Sequence, residues 1–293
     1  MEKKRICFKD FWSGFFHDDK ATINFWKDLF TEFDYEFEIV DTDPDIIIFS
    51  LFGDYNRQRG QFHKKTIGNN SKKCFYTGEN HPAIKEADLN LTFENTSDHN
   101  NIRLPLWILY GYEWGETKIC DWGEIKNMKL VKKDSEGFCC FVYSNQIEHR
   151  NAFCRQLSKY KQVDCGGGCL NNVGGKVGDK MGWQKSYKFC IAYENAVQPG
   201  YTTEKILEAY RSNCIPIYYG SETIKDDFNP ETFINAHDFD SNEDLIEYIK
   251  KVDSDEALYN SYMNKPIFSK KWLAVFNDPE KTYFRNIAQK IME

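Results

Sequence analysis

The chain has 293 residues, of which 41% are hydrophobic and 16% aromatic, and its formal net charge is −7. That length suffices for about two domains with cores of their own, and the acidic balance excludes a generally basic face for nucleic acid or anionic lipid. No apolar run reaches the roughly 18–20 residues that span a bilayer, and the basic start MEKKR leads into no signal-peptide segment. The expectation is a soluble, cytoplasmic chain with no transmembrane segment and no nucleic-acid partner.

Residues 5–8 read as a first strand. The loop 9–18 (KDFWSGFFHD) carries four aromatic rings and His17. Over 19–33, Ile23, Trp26, Phe30 and Phe33 recur at helical spacing. Residues 36–40, 45–49 (DIIIF), 73–77 and 88–93 read as strands. Asp41, Asp43 and Asp45 superficially form an Asp-x-Asp metal motif, but Pro44 and the strand that follows favour a turn. Glu79 comes just after the strand 73–77, behind Gly78, and taken alone reads as a solvated turn residue. Strands alternating with helical or loop segments indicate an open α/β sheet. Residues 103–116 (RLPLWILYGYEWGE) are aromatic and punctuated by Pro105, Gly111 and Gly115. The polar stretch 121–136 holds the expected boundary, which gives a first domain over 1–130, a second over 131–265 and closing helices over 266–293.

Residues 138–143 (FCCFVY) open a second sheet. The helix expected over 149–160 packs through Ala152, Phe153 and Leu157, and Arg150 stands at its start. The macrodipole disfavours a cation there by about 0.3–1 kcal/mol. In CGGGC (165–169) the glycines permit close backbone approach or positive φ. Residues 187–193 form a strand and 194–201 a loop. Thr202 or Thr203 caps a helix whose apolar residues are Ile206, Leu207 and Tyr210, Asn213 ends it, and 214–219 is a further strand. Strand, helix and strand within about 30 residues make a parallel βαβ unit. Ligands bind outside the carboxyl ends of such strands, where Glu194, Asn195, Tyr201, Glu204 and Lys205 fall. Lys205 repeats the unfavourable position of Arg150. Each cation alone reads either as a solvated surface residue or as an anion ligand, and the pair suggests one anion shared by two helix starts. Further on, Ser241 and Asp244 have capping-box spacing.

The ten cysteines form no CxxC pair and the six histidines have no metal-ligand spacing. Reduced thiols are expected, with a Cys165–Cys169 bridge as the alternative.

The strings YKFCIAYEN, GYTTEK, IPIYYGS and NPETFINAHDF span about 50 residues in register. They resemble the donor-site signature of the α1,3/4-fucosyltransferases, glycosyltransferase family ten. SNQIEHRNAF and FYTGENHP resemble two further segments of that family, while the first 70 residues match it only loosely. The resemblance implies two Rossmann-like α/β domains facing across a cleft, the GT-B architecture. It implies inverting transfer of L-fucose from GDP-fucose to O3 or O4 of a GlcNAc or glucose unit in an N-acetyllactosamine- or lactose-type acceptor. Glu79 is then the general base, Arg150 and Lys205 hold the diphosphate, and Glu204 holds the ribose. Asn195, Tyr201, Glu194 and Asn145 are further donor contacts. Trp12, Phe15 and His17 are the candidate acceptor contacts, and for the rings a core role is the favoured reading. No metal site or cofactor is required, although added Mn²⁺ matters in some relatives, and stimulation by Mn²⁺ or Mg²⁺ is the alternative for this chain. The rival functions are a transferase for another nucleotide sugar and a sugar-binding relative without turnover.

Overall fold

The computed structural model describes residues 2–12, 15, 22–53, 70–114 and 122–293. The chain divides into two compact units. The first comprises Met1–Ile125, Pro199–Tyr201 and Ala274–Glu293, and the second Lys126–Gln198 and Thr202–Leu273.

Among the described residues the first unit is built on six strands: β1 (Lys4–Lys9), β2 (Phe37–Ile39), β3 (Ile46–Phe49), β4 (Lys72–Tyr76), β5 (Leu89–Thr92) and β6 (Asn101–Arg103). Their order is β2-β1-β3-β4-β5-β6 and every pairing is parallel. β3 reads IIIF and is buried at all four positions, as a parallel strand covered on both faces requires. Helix α1 (Thr22–Glu32) buries the expected Ile23, Trp26 and Phe30 together with Phe25 and Leu29. Helix α2 (Leu106–Trp114) occupies the stretch to which the sequence assigned no element. Pro105 lies just before its first residue, where a missing N–H costs nothing. Trp107, Ile108, Leu109 and Tyr112 hold the helix by burial. The one-turn helix α3 (Gly123–Lys126) follows.

Other expectations for this half are settled by side-chain chemistry. The Asp45 carboxylate accepts the Arg5 backbone N–H at 2.7 Å and Asp43 takes φ 46°, so the DTDPD segment is a turn that ties β1 to β3. Asn90 begins an Asn-x-Ser/Thr sequon, yet it is fully buried, and its amide serves Ile84 and His99.

The second unit carries β7 (Gly137–Phe141), β8 (Val163–Cys165), β9 (Tyr187–Tyr193), β10 (Ile215–Tyr219) and β11 (Ile234–Asn235). The order is β11-β10-β9-β7-β8, again all parallel. Its helices are α4 (Glu148–Leu157), α5 (Lys180–Gln184), α6 (Glu204–Arg211), α7 (Asn242–Ser254), α8 (Glu256–Asn260) and the start of α9 (Lys270–Phe276). Helix α10 (Thr282–Met292) clusters with the first unit, and its Lys281 forms an ion pair with Glu32 of α1. Ser241 caps α7 by accepting the Asp244 N–H, as its spacing predicted. Asn213, where the sequence ended this helix, takes φ 52° just after α6, a left-handed stop. No helix among the described residues is long and apolar enough to cross a membrane.

Nine described cysteines are free. Cys165 does not bridge to Cys169. Its Sγ lies 3.6 Å from that of Cys154, while the Cys169 thiol donates to the Asn145 carbonyl.

Candidate active site

Strand order locates the candidate site in the second unit. The chain leaves β7 for β8 on one side, then crosses to β9 on the other, so the order reverses between β7 and β9. Loops leaving a parallel sheet at such a point diverge and open a crevice at its carboxyl edge. Asn145 follows β7 there, and Glu194 and Asn195 follow β9.

Arg150 reaches this point from the first turn of α4 and is fully buried. Its guanidinium donates to the carbonyls of Asn145 (2.8 Å) and Tyr193 (3.3 Å) and to Asn195 Oδ1 (3.0 Å). Its Cζ lies 3.7 Å from the centroid of the Tyr143 ring, over its face. Nε is buried without a partner, and no carboxylate pairs with the guanidinium among the described residues. Burial pulls its pKa below the ordinary arginine value, against the charges of Tyr143, Cys169 and Glu194. A buried cation held only by dipoles is costly unless an anion completes it.

Lys205 differs. The sequence read it as a solvated residue or an anion ligand at the start of α6, but its Nζ lies 3.2 Å from Glu194 Oε2 and 3.3 Å from Glu204 Oε1. Two carboxylates therefore offset the helix dipole before any ligand is considered. Glu194 is fully buried and also accepts the Thr203 N–H (2.8 Å) and hydroxyl (2.7 Å). Thr203 thus stands at the N-cap of α6 but spends its hydroxyl on Glu194 rather than on the helix. Burial raises the Glu194 pKa, which Lys205 only partly offsets. Burial would raise Glu204 as well, yet Lys205 and Lys180 hold it below the usual carboxylate value.

Lys180 escaped the sequence reading. It pairs with Glu208 and lies 5.9 Å over the Tyr143 ring. Burial disfavours its charge, but Glu208 keeps its pKa above the ordinary lysine value. Lys180 occupies the first turn of a helix, the same cue that singled out Arg150 and Lys205, but α5 has only five residues and shows no periodicity.

The CGGGC loop has a packing role. A Cβ on Gly167 would stand 2.2 Å from the Tyr143 carbonyl oxygen, and the Cys169 N–H donates to that same oxygen at 2.9 Å. The loop thereby braces residues 143–145, which hold Arg150.

Tyr201 groups with the first unit. It is 2% exposed and packs at 5.2 Å on the Phe93 ring. Gly200 beside it has φ 84°, and its carbonyl accepts from Arg103 at 2.9 Å.

In the first unit Trp12 follows β1, Phe52 follows β3 and Glu79 follows β4, three neighbouring strands at one carboxyl edge. Together with Gly78, Leu106 and Tyr110 they line a cavity of about 170 Å³. The Glu79 N–H donates to Thr77 Oγ1 at 3.0 Å, which fixes the turn that presents the exposed carboxylate. Phe15, a candidate acceptor contact for which the core reading was favoured, is fully buried against Phe11 and Phe8. His17 lies outside the described residues.

The family description "Glycosyltransferase family 10 (fucosyltransferase) C-term" matches residues 131–278, and "Alpha-(1,3)-fucosyltransferase FucT N-terminal domain" matches residues 6–110. An alpha-(1,3)-fucosyltransferase FucT of Helicobacter pylori is 33% identical over 221 residues, covering 65% of this chain and 46% of that protein. A human GDP-fucose protein O-fucosyltransferase 3 is 34% identical over 125 residues, covering 39% and 26%. The chain thus spans less than half the length of these curated relatives. A crystal structure of an alpha1,3-fucosyltransferase with GDP-fucose superposes with a TM-score of 0.69 at 26% identity, covering 97% of this chain and 91% of that one. Two matched regions together span most of the sequence, and the chain belongs to glycosyltransferase family 10, the fucosyltransferase family.

Proposed function

We propose that the chain transfers L-fucose from GDP-fucose to a sugar hydroxyl with inversion at the anomeric carbon. The observation that carries this reading is Arg150, a buried guanidinium without a carboxylate partner among the described residues, at the switch point of a parallel sheet. A diphosphate suits it, since arginine grips phosphate oxygens with paired N–H bonds. Lys205 adds a point charge, and Glu204, kept ionised by Lys205 and Lys180, suits the two hydroxyls of a ribose. Asn145, Glu194 and Asn195 position these groups. The family relative solved with GDP-fucose supports the choice of donor.

In this reading Glu79 takes the proton from the acceptor hydroxyl. The acceptor oxygen attacks the anomeric carbon as the bond to the phosphate oxygen breaks, and GDP leaves with its negative charge stabilised by Arg150 and Lys205. A divalent cation is not essential, because the cations of the chain supply this stabilisation. Trp12, Phe52 and Tyr110 around Glu79 suit the apolar face of an acceptor sugar. GlcNAc or glucose O3 is the favoured acceptor atom. The human relative named as a protein O-fucosyltransferase favours a second reading, with a hydroxyl of a polypeptide as acceptor.

Calorimetry of GDP against UDP, followed by transfer from GDP-fucose to lactose, N-acetyllactosamine and serine- or threonine-containing peptides in EDTA, tests the scheme. Micromolar GDP binding, weak UDP binding and metal-free transfer are expected. Equal affinity for UDP, or activity that vanishes in EDTA, would overturn the donor or the metal assignment respectively.

A further inference from the structure

A second cavity, of about 450 Å³, lies at the carboxyl edge of β9, β10 and β11. Small-molecule sites occupy roughly 300–1,000 Å³. Tyr193 ends β9, Tyr219 ends β10 and His237 follows β11. His149 comes from the first turn of α4, and Asp240 and Asn242 from the approach to α7. The Tyr219 ring centroid lies 4.7 Å from that of His237, 5.2 Å from Tyr193 and 5.5 Å from His149. His237 Nε2 sits 3.0 Å from the Gly220 carbonyl, which fixes that ring.

Chain neighbours divide between two sites. His149 and Tyr193 line this cavity, while Arg150 and Glu194, the next residues along, belong to the charged cluster. Tyr193 is 2% exposed, and its hydroxyl is buried without a hydrogen-bond partner among the described residues.

The lining discriminates between ligand classes. Asp240 lines the cavity, and α7 begins with Glu243 and Asp244, so a phosphate or carboxylate is repelled. Among the described residues no three His, Cys, Asp or Glu side chains group to hold a metal ion. A purely apolar ligand would leave the Tyr193 hydroxyl unsatisfied. A neutral pyranose meets every requirement. Its C–H face carries partial positive charge that suits the negative faces of aromatic rings. Its hydroxyls both donate and accept, matching a carboxylate, an amide, two imidazoles and a phenol. We propose that this cavity is a saccharide subsite for one neutral hexopyranose unit, distinct from the Arg150 cluster. It would exist whichever nucleotide sugar the enzyme uses.

Saturation-transfer NMR with methyl β-D-glucopyranoside, methyl β-D-galactopyranoside and methyl β-lactoside, at about 20 mM because millimolar affinity is expected, tests the subsite. Transfer should appear on ring C–H protons and persist when GDP is saturating. His149→Ala and Asp240→Asn alter exposed residues and should preserve the fold, while Tyr219→Ala removes the central ring. Each should weaken saccharide binding about five-fold, the size of one lost aromatic or polar contact, and leave GDP affinity unchanged. The proposal is overturned if none of the three glycosides shows transfer, if binding is unaltered in His149→Ala and Asp240→Asn, or if GDP displaces the sugar.

Discussion

Replacing Arg150 by methionine separates a structural arginine from one that waits for an anion. The side chain makes three hydrogen bonds to neutral acceptors and lies over the Tyr143 ring. Charge-assisted bonds contribute about 1.5–3 kcal/mol each, while burying a guanidinium without a carboxylate partner costs several kcal/mol. These opposing effects nearly cancel, and methionine fills a similar volume without the charge. The expected change in folding stability is therefore less than about 2 kcal/mol. GDP affinity behaves differently, because the paired N–H bonds to phosphate have no substitute. Losing about 1.5–3 kcal/mol there weakens binding roughly 10- to 150-fold. Urea unfolding followed by far-ultraviolet circular dichroism measures the first quantity, and isothermal titration with GDP the second. A folded variant that binds GDP within two-fold of the parent would refute the diphosphate role. A loss of stability well beyond the stated bound would show instead that Arg150 is mainly a strut for Tyr143, Asn145 and Asn195.

Glu79→Gln keeps the size of the side chain but cannot accept a proton, so transfer should fall by about 10²–10⁴-fold while GDP binding stays near normal; an undiminished rate removes Glu79 from the base role. Gly167→Ala places a methyl 2.2 Å from the Tyr143 carbonyl oxygen and 2.4 Å from its nitrogen. It should cost about 1–3 kcal/mol of stability and weaken GDP binding through the displaced 143–145 segment, and a melting curve and titration identical to the parent's would show that the loop does not brace it. Asp253 is 3% exposed at its side chain and bonds Lys188, Lys161 and Tyr160. Burial would raise its pKa, but the two lysines and the tyrosine hold it below the usual aspartate value. A depressed carboxylate contributes stability that is present above its unfolded pKa, about 3.9, and lost as the pH falls through the folded value. Asp253→Asn should therefore destabilise by about 1–2 kcal/mol at pH 7, with the gap to the parent closing below about pH 4; a gap equally wide at pH 3 contradicts the assignment.

The sequence by itself determined the α/β class and the βαβ unit from β9 to β10, because an aromatic and β-branched strand, a helical stripe and a stop at Asn213 are all local signals. It also singled out Arg150 and Lys205, since a cation in the first turn of a helix is unfavourable wherever that helix lies. It did not show helix α2, whose Pro105 and Gly111 resemble loop residues until burial of Trp107 and Tyr112 outweighs them. Only the tertiary structure distinguished the two cations. A buried Glu194, eleven positions before Lys205, pairs with the lysine and offsets its charge, whereas among the described residues Arg150 meets carbonyls, an amide and a ring. The same is true of Lys180, which joins the cluster from a one-turn helix, and of Phe15 and Tyr201, which turn into the packing of the first unit. Periodicity and caps act over a few residues, so they can be read along the chain. Coulomb pairing and desolvation depend on which groups meet in space, and the folding of the sheets decides that.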